Sequence, residues 1–363
     1  MKKYCLVSFC NIYVLPYARK YIDAILASGA ECDLIYWDRD AANGENDVFY
    51  GCNKFCYQRR MTPESSSKDK LLGYIEARQF IIKNLQKTKY DGIFFLHTHA
   101  AVACWSILRK DYKNKYIVDV RDYSLENYGL YRKIEKNLIQ NSYATVISSP
   151  AYKKFLPKND YVISHNYTCF SKEDVKSIRE ANRVSDKPIE ISFVGTIRFV
   201  DMNKKMLKLF SNDNRFKLNF FGIGSEILED FCRKEKISNV SFYGRFESKK
   251  TLSFYRDTDI INNLYGNNNC FLDYALSNKL YHAGQLHIPI LVCPGTYMEE
   301  ISTKYNIGFV FDINNSKEPD RLYSWYSNLD RKELAKGCEE FISLVQEENK
   351  DFEKIIERFL YRG

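Results

Sequence analysis

The chain has 363 residues, of which 45% are hydrophobic and 28% charged, and its formal net charge at pH 7 is +8. This length exceeds what one hydrophobic core usually serves, and the composition excludes a disordered chain, so two globular domains are predicted. The 11 cysteines follow no disulfide framework and no run of about 18 apolar residues occurs, which together predict a cytoplasmic protein with reduced thiols and no transmembrane helix.

Short apolar runs alternate with helical patterns through the first half of the chain. Tyr4 to Val7 and Cys32 to Trp37 are typical of strands, and the helical spacing between them ends at Gly29. A loop insertion is predicted over residues 38–68. Beyond it, helices are predicted over 69–88, 100–110 and 125–140, and strands over 93–96, 116–120, 143–147 and 161–163. This alternation predicts a parallel, doubly wound sheet in a domain over residues 1–168.

A second series of strands follows a polar linker that ends at Pro188. Its strands are predicted at 189–194, 216–221, 240–243, 259–264, 288–292 and 308–311. The fold class is therefore α/β, with two tandem Rossmann-like domains, the second over residues 189–348. Residues 349–363 carry an apolar stripe at helical spacing, including Phe352 and Phe359, and a helix with such a stripe must bury it.

Several enzyme classes lack their motifs in this sequence. Neither domain opens with the Gly-x-Gly-x-x-Gly turn of nicotinamide dehydrogenases, and Gly222-Ile-Gly224 lacks the third glycine. A Walker loop, a Gly-x-Ser-x-Gly elbow and a His-Glu-x-x-His helix are also absent, and Cys52-x3-Cys56 has no partner pair at zinc-like spacing. No resident cofactor and no metal site are predicted.

The segment from Leu276 to Val292 has the pattern of an anion site. Ser277 is a good helix N-cap, residues 278–286 suit a helix, and Lys279 adds a positive charge in its first turn. A helix N-terminus at the carboxyl side of a parallel sheet presents free N–H groups and the positive end of the helix dipole. A phosphate group is the ligand that such a site favours.

This segment is similar to the Pro-x-Lys-Leu-(aromatic)-Glu-Ala-x-Ala-x-Gly-x-Pro signature of GT-B glycosyltransferases, especially the family-four-like enzymes of bacterial capsule and O-antigen polysaccharide assembly. Other pieces follow in the family's order, at Phe193–Arg198, Phe220–Gly224, Val240–Arg245 and Phe254–Ile260. The resemblance implies a GT-B fold with an interdomain cleft and a last helix that packs back on the first domain. It also implies metal-independent transfer of a sugar from a nucleotide-diphospho-sugar to a glycan acceptor.

The resemblance also implies roles for individual residues of the second domain. Arg198 would meet the donor diphosphate with Lys204 as a helper, and Arg245 and Phe246 would lie along the nucleobase. The remaining donor-site residues are Gly195 and Gly224 at the turns and Ser277 and Lys279 at the helix N-terminus.

The sequence departs from the family pattern at Ser277, which replaces the first Pro, at His287, which replaces the Gly, and at two positions where the family has Glu. His282 stands where the family has the ribose-binding Glu, and Tyr274 stands where it has the preceding Glu. A neutral imidazole still bonds to a hydroxyl, so His282 is predicted as a ribose ligand, with a structural histidine as the alternative.

In the first domain, polar residues follow two predicted strands. His97-Thr-His99 ends one strand, and Arg121-Asp122 ends the next. The carboxylate of Asp122 is suited to act as a general base, and the guanidinium of Arg121 is suited to stabilise the negative charge of the leaving group. His99 is the third predicted catalytic residue. As an alternative, Asp122 caps a helix that begins near Ser124.

The positive charge is confined to the first half of the chain. Residues 1–168 hold 25 Lys and Arg against 17 Asp and Glu, whereas residues 169–363 hold 29 of each. Because the first domain is the acceptor side in similar enzymes, a lipid-pyrophosphate-linked acceptor at the cytoplasmic membrane face is predicted, with a merely solvated basic surface as the alternative. Two clusters are the candidates for peripheral membrane contact: Arg109, Lys110, Lys113 and Lys115, and Arg132, Lys133 and Lys136.

Two other functions remain open at this point. A nucleotide-sugar 2-epimerase-like enzyme would use the same fold and donor site without an acceptor. A non-catalytic sugar- or nucleic-acid-binding protein would explain the missing Glu pair, although no nucleic-acid-binding motif is present and no nucleic-acid partner is expected.

Overall fold

The computed structural model describes all residues except 13–14, 40–50, 63, 181–186, 248–249 and 363. The chain divides into two units. The first comprises residues 1–166 and 347–363, and the second comprises residues 167–346. Most of the predicted linker lies outside the described residues.

The first unit is built on a seven-stranded parallel sheet in the order β3-β2-β1-β4-β5-β6-β7. Its strands are β1 (Lys3–Ser8), β2 (Glu31–Asp38), β3 (Cys52–Gln58), β4 (Gly92–Leu96), β5 (Tyr116–Val120), β6 (Ala144–Ile147) and β7 (Tyr161–Ile163). Its helices are α1 (Ala18–Ala27), α2 (Ser67–Lys87), α3 (Thr98–Ala103), α4 (Trp105–Asp111) and α5 (Gly129–Asn141).

Strand β3 corrects the sequence prediction, which placed a loop insertion over residues 38–68. Cys52–Gln58 pairs in parallel with β2, from Cys32 opposite Cys52 to Asp38 opposite Gln58. The strand lies at the sheet edge and is mostly half-buried. An edge strand needs no continuous apolar run, so hydrophobic periodicity did not reveal it.

The C-terminal helix, Arg331–Tyr361, contributes its last turns to the core of the first unit. Phe352, Ile356 and Phe359 are buried there against β1 and β4. A Cβ atom at Gly92 would lie 2.5 Å from the ring of Phe359, so this close approach of helix to sheet requires glycine. The apolar stripe that the sequence shows is therefore buried within this unit.

The second unit holds a six-stranded parallel sheet in the order β10-β9-β8-β11-β12-β13. Its strands are β8 (Ile189–Val194), β9 (Phe216–Phe221), β10 (Val240–Phe242), β11 (Ile260–Asn262), β12 (Ile290–Val292) and β13 (Gly308–Val310). Its helices are α6 (Lys172–Arg179), α7 (Val200–Leu209), α8 (Ser225–Glu235), α9 (Thr251–Tyr255), α10 (Cys270–Asp273), α11 (Asn278–Leu286), α12 (Tyr297–Lys304) and α13 (Glu318–Ser327). The prediction of two doubly wound parallel-sheet domains is confirmed.

Within the described part of the chain, none of the helices combines the length and the apolar character that crossing a bilayer requires.

Candidate functional site

The sheet of the second unit has a switch point between β8 and β11. These strands are neighbours, but the chain continues from β8 toward β9 and from β11 toward β12, on opposite sides. Loops that leave two such strands diverge and open a crevice at their carboxyl ends, where ligands of doubly wound sheets bind. The predicted donor-site residues Gly195 and Lys279 meet at this crevice.

Glycines let the loops after β8 and β9 approach each other closely. Gly195 donates its N–H to the carbonyl of Phe221 at 2.9 Å. Gly222 has φ of +145°, and a Cβ atom there would lie 1.8 Å from the carbonyl oxygen of Gly195. A Cβ on Gly195 would in turn lie 3.7 Å from the Lys279 ammonium. The crevice is therefore lined here by glycine backbone without side chains, next to the amino group of Lys279.

Lys279 is the principal charged group of the crevice. It is 5% exposed, and its Nζ donates to the hydroxyl of Tyr265 at 2.5 Å and lies 4.2 Å from the ring centroid of Phe193. Burial, assisted by the charge of Arg198, lowers the pKa of Lys279 to about 7. Among the described residues no carboxylate forms an ion pair with it, so no neighbouring negative charge offsets the burial of its charged form.

The first turn of α11 adds backbone donors to the same place. Ser277 is the N-cap, and its hydroxyl accepts from the N–H of Lys279 at 3.3 Å. Arg198 is exposed. Burial raises the pKa of Tyr265, and the positive charge of Arg198 reduces this rise. The charges of Arg198 and Lys279 therefore influence the same place as the N-terminus of α11, and such a combination suits a phosphate group.

Four other predicted donor-site residues lie on neighbouring elements. The ammonium of Lys204 lies 5.5 Å from the ring centroid of Phe231 on α8. Gly224 precedes α8 with φ of +95°. After β10, Arg245 is exposed and the ring of Phe246 packs edge-on against Phe254 at 4.8 Å.

His282 has a partner in the protein core. Its Nδ1 lies 3.0 Å from the hydroxyl of Tyr255, and its ring packs against Phe170 with centroids 5.0 Å apart. Burial, followed by the charge of Lys279, lowers the pKa of His282 to about 4. The ring is therefore neutral at physiological pH, and the Tyr255 contact is the one expected of a structural histidine.

The first unit has its own switch point, between β1 and β4. His97, directly after β4, has φ of +83°, an uncommon value for a residue with a side chain. Its imidazole lies 3.2 Å from the Tyr17 hydroxyl and 3.8 Å from the Cys10 thiol, and it stacks on His99 with ring centroids 5.4 Å apart. His97 is therefore held at the crevice by Tyr17 and Cys10 on one side and by the ring of His99 on the other.

His99 has an unsatisfied polar atom. Its Nε2 is buried and has no hydrogen-bond partner among the described residues. Burial, followed by the charge of His97, lowers the pKa of His99 well below its usual value. A neutral imidazole with one nitrogen unpaired is suited to bond a hydroxyl group of a ligand.

Arg121 does not offer a free charge, which differs from the leaving-group role predicted from the sequence. Its Nη2 donates to Asp119 at 2.6 Å, and its Nη1 donates to the carbonyl of Ser164 at 2.8 Å. The guanidinium also lies 4.2 Å from the ring centroid of Tyr17. Because Asp119 already balances this buried charge, Arg121 serves to fix the carboxyl ends of β5 and β7.

Asp122 is exposed immediately after Arg121. Helix α5 begins at Gly129 with Tyr128 as N-cap, so Asp122 does not cap it. Burial raises the pKa of the Tyr17 hydroxyl, and the charge of Asp122 adds to this rise. Asp122 comes two residues after the end of β5, at the carboxyl edge of the sheet on which the switch point opens.

Buried acids hold the loop that carries Asp122. Glu126 accepts from the backbone N–H of Ser124 at 2.5 Å, and Glu135 of α5 lies beside it. Burial, with the charge of Glu126, raises the pKa of Glu135 to about 8. At neutral pH Glu135 is thus protonated, which allows it to hydrogen-bond Glu126 without like-charge repulsion.

Sequence reasoning missed three residues of these sites, namely Tyr265, Tyr17 and Asp119. Asp119 carried a usable signal, since it is a carboxylate within the buried strand Tyr-Ile-Val-Asp-Val and requires a cation. Tyr17 and Tyr265 are two of 28 tyrosines, and nothing in their local sequence sets them apart.

No family model matches the sequence. No curated protein matches it at a significant level. Solved structures do match along nearly the whole chain. Sucrose-phosphate synthase from Thermosynechococcus elongatus has a TM-score of 0.70 at 12% identity, with 98% of this chain and 96% of that chain covered.

Two further structures match over 98% of this chain and 99% of theirs. Anabaena HepE in complex with UDP has a TM-score of 0.66 at 12% identity. The lipopolysaccharide outer core galactosyltransferase WaaB in its apo form also has 0.66, at 13% identity. The two tandem Rossmann-like domains match the GT-B fold of these neighbours, so the fold that the sequence resemblance implied is confirmed.

Proposed function

We propose that this protein is a glycosyltransferase that moves a sugar from a nucleotide-diphospho-sugar, bound by the second unit, to a glycan acceptor bound by the first. The observation that carries the proposal is the buried Lys279, which lacks a carboxylate partner among the described residues and lies beside bare glycine backbone and the N-terminus of α11. The donor diphosphate is the anion that completes this pocket.

The bound diphosphate is both the anchor of the donor and the leaving group. Lys279, Arg198 and the N–H groups after Ser277 stabilise the negative charge that develops as the glycosidic bond breaks, so no metal ion is required. Arg245 and Phe246 are proposed to lie along the base, and solved structures of similar fold bind UDP and UDP-glucose. His282 is proposed to reach the ribose only through the nitrogen that Tyr255 does not use.

In the first unit, Asp122 is the proposed general base and His99 the proposed ligand of a substrate hydroxyl. The exposed carboxylate accepts the proton of the attacking acceptor hydroxyl, and the unpaired Nε2 of His99 orients the sugar. Arg121 acts as a positioning residue through its ion pair with Asp119. An anionic, lipid-pyrophosphate-linked acceptor at the cytoplasmic membrane face, in surface polysaccharide assembly, fits the positive charge of residues 1–168.

Substitution of Arg198 tests the donor site. Arg198→Gln is expected to weaken the binding of nucleoside diphosphates about tenfold or more, because a hydrogen bond between charged groups contributes roughly 1.5–3 kcal/mol. The measurement is isothermal titration of UDP, GDP and ADP in EDTA, so that no divalent cation bridges protein and ligand.

Arg233→Gln is the matched control, since Arg233 is an exposed arginine on α8 that pairs with Asp230. It should leave the affinity unchanged. Equal affinities for the wild type and a folded Arg198→Gln variant would remove Arg198 from the donor site.

A further inference from the structure

Four helices, α2 to α5, form one layer on the same side of the sheet in the first unit. Arg78 of α2 donates to the carbonyl of Ala103 at the end of α3, and Trp105 of α4 donates to Asn137 of α5 at 2.9 Å. The connections from β3 to β4, β4 to β5 and β5 to β6 all run in one direction along the sheet, so right-handed crossovers place their helices on one face.

The outer surface of this layer exposes large apolar side chains at one end. Leu71, Leu72 and Ile75 lie in the first turns of α2 and are 63%, 48% and 44% exposed. Leu130, in the first turn of α5, is 74% exposed, and Tyr128 just before it is 60% exposed. Both helices begin at the carboxyl edge of the sheet, so these groups lie at the same edge, which is also the edge of the candidate site.

The charges at this apolar edge are predominantly positive. Lys68 on α2 and Arg132, Lys133 and Lys136 on α5 are exposed there, against two exposed acids, Glu64 just before α2 and Asp122 just after β5. The acidic side chains of α2, Asp69 and Glu76, are both ion-paired with Arg59. On α5, Glu135 is buried beside Glu126 and has a raised pKa.

The other basic cluster lies at the opposite end of the layer. Lys113 and Lys115 precede β5, and the Asn114 N–H between them donates to the carbonyl of Asn141, the last residue of α5. The 13 residues of α5 separate the two ends by roughly 20 Å at about 1.5 Å per residue. The two basic clusters, both of which are candidates for membrane contact from the sequence, therefore lie at opposite ends of the helical layer.

We infer that the apolar residues Leu71, Leu72, Ile75 and Leu130, with their basic neighbours, form a docking surface for an anionic lipid bilayer. Apolar side chains enter the interface while lysine and arginine contact acidic headgroups, as in peripheral proteins that combine both signals. The inference rests on the proposed function, since a lipid-linked acceptor is presented at such a surface. It assigns the contact to the carboxyl edge of the helical layer and excludes Lys113 and Lys115.

Vesicle co-sedimentation of the full chain tests this surface. Wild-type protein is expected to bind vesicles made of equal parts of phosphatidylcholine and phosphatidylglycerol. It should bind vesicles of phosphatidylcholine alone much more weakly. The triple variant Leu71→Ser/Leu72→Ser/Ile75→Ser should bind the anionic vesicles at least tenfold more weakly, and Arg132→Gln/Lys133→Gln should do so at low salt.

Two matched variants should bind as the wild type does. Lys113→Gln/Lys115→Gln removes the same charge from the opposite end, and Ile227→Ser removes an exposed isoleucine of the second unit. Equal binding to both kinds of vesicle, or equal loss in Lys113→Gln/Lys115→Gln and Arg132→Gln/Lys133→Gln, would overturn the assignment. So would self-association in sedimentation velocity that the triple variant abolishes, because a second copy would then cover the surface.

Titration with nucleoside diphosphate on the same samples separates this inference from the proposed function. Nucleotide binding without vesicle binding would refute the docking surface and leave the transferase proposal standing. The expected vesicle pattern without nucleotide binding would refute the transferase proposal and support the surface itself.

Discussion

Replacing Lys279 by methionine is expected to weaken nucleoside-diphosphate binding by about 10- to 100-fold and to abolish the proton uptake that accompanies it. The pKa of Lys279 is lowered to about 7 in the free protein, and a bound diphosphate raises it. At pH 8 the free amine is mostly neutral, so binding takes up a proton. At pH 6 it is already charged, and uptake disappears.

The same substitution is expected to stabilise the ligand-free protein. The unfolded chain protonates Lys279 at its ordinary pKa of 10.5, whereas the folded protein does so only near pH 7. The free energy of unfolding therefore decreases as the pH falls from 10.5 to 7. Below pH 7 the amine is charged in both states, and this loss of stability stays constant. Methionine has no charge to bury, so the free energy of unfolding at pH 7 should rise, by an amount on the order of 1–3 kcal/mol.

Calorimetric titration in buffers of different ionisation enthalpy measures the proton uptake, and thermal unfolding measures the stability. Lys205→Met, at an exposed lysine of α7, is the control and should change neither. A Lys279→Met variant that kept the proton uptake, or that bound UDP, GDP or ADP as tightly as the wild type, would contradict the role of this residue.

Replacing Asp122 by asparagine is expected to lower the turnover of the nucleotide sugar by about 10²- to 10⁴-fold while donor affinity stays unchanged. Asparagine keeps the size and polarity of the side chain but cannot accept a proton, and general-base catalysis contributes about this much. Release of nucleoside diphosphate, followed with and without acceptor, gives the rate, and titration gives the affinity.

Asp111→Asn provides the matched control, because Asp111 is an exposed acid of the first unit at the end of α4. Its rate should equal that of the wild type. An Asp122→Asn variant with the full rate would show that another group removes the proton.

The sequence predicted those features that local patterns determine. Helix α11 runs over Asn278–Leu286 as expected, because Ser277 caps it and the apolar residues recur at helical spacing. Strands such as β8 and β9 were also predicted at their observed bounds, since apolar residues alternate with polar ones in their first four positions and an apolar pair ends each strand. The order of such elements was enough to predict the tandem α/β architecture.

Features that depend on tertiary contacts were not predictable from the sequence. The leaving-group role of Arg121 was predicted from its position at a strand end. In the folded protein its charge is balanced by Asp119, two residues earlier on β5. The Tyr265 contact with Lys279 depends on how a loop after β11 meets the first turn of α11. Edge strand β3 lacked an apolar run, and only its pairing with β2 defines it.

The proposed function requires the second unit to bind a nucleoside diphosphate at Lys279. Thermal unfolding of the wild-type protein with UDP, GDP and ADP, each added to saturation, measures this binding. At least one of them is expected to stabilise the protein, by about 2.7 kcal/mol at a hundredfold excess over its Kd. At that concentration the same ligand should stabilise Lys279→Met by only about 0.4–1.4 kcal/mol, because its binding is 10- to 100-fold weaker. An unchanged unfolding transition with all three nucleotides would contradict a nucleoside-diphosphate site at Lys279.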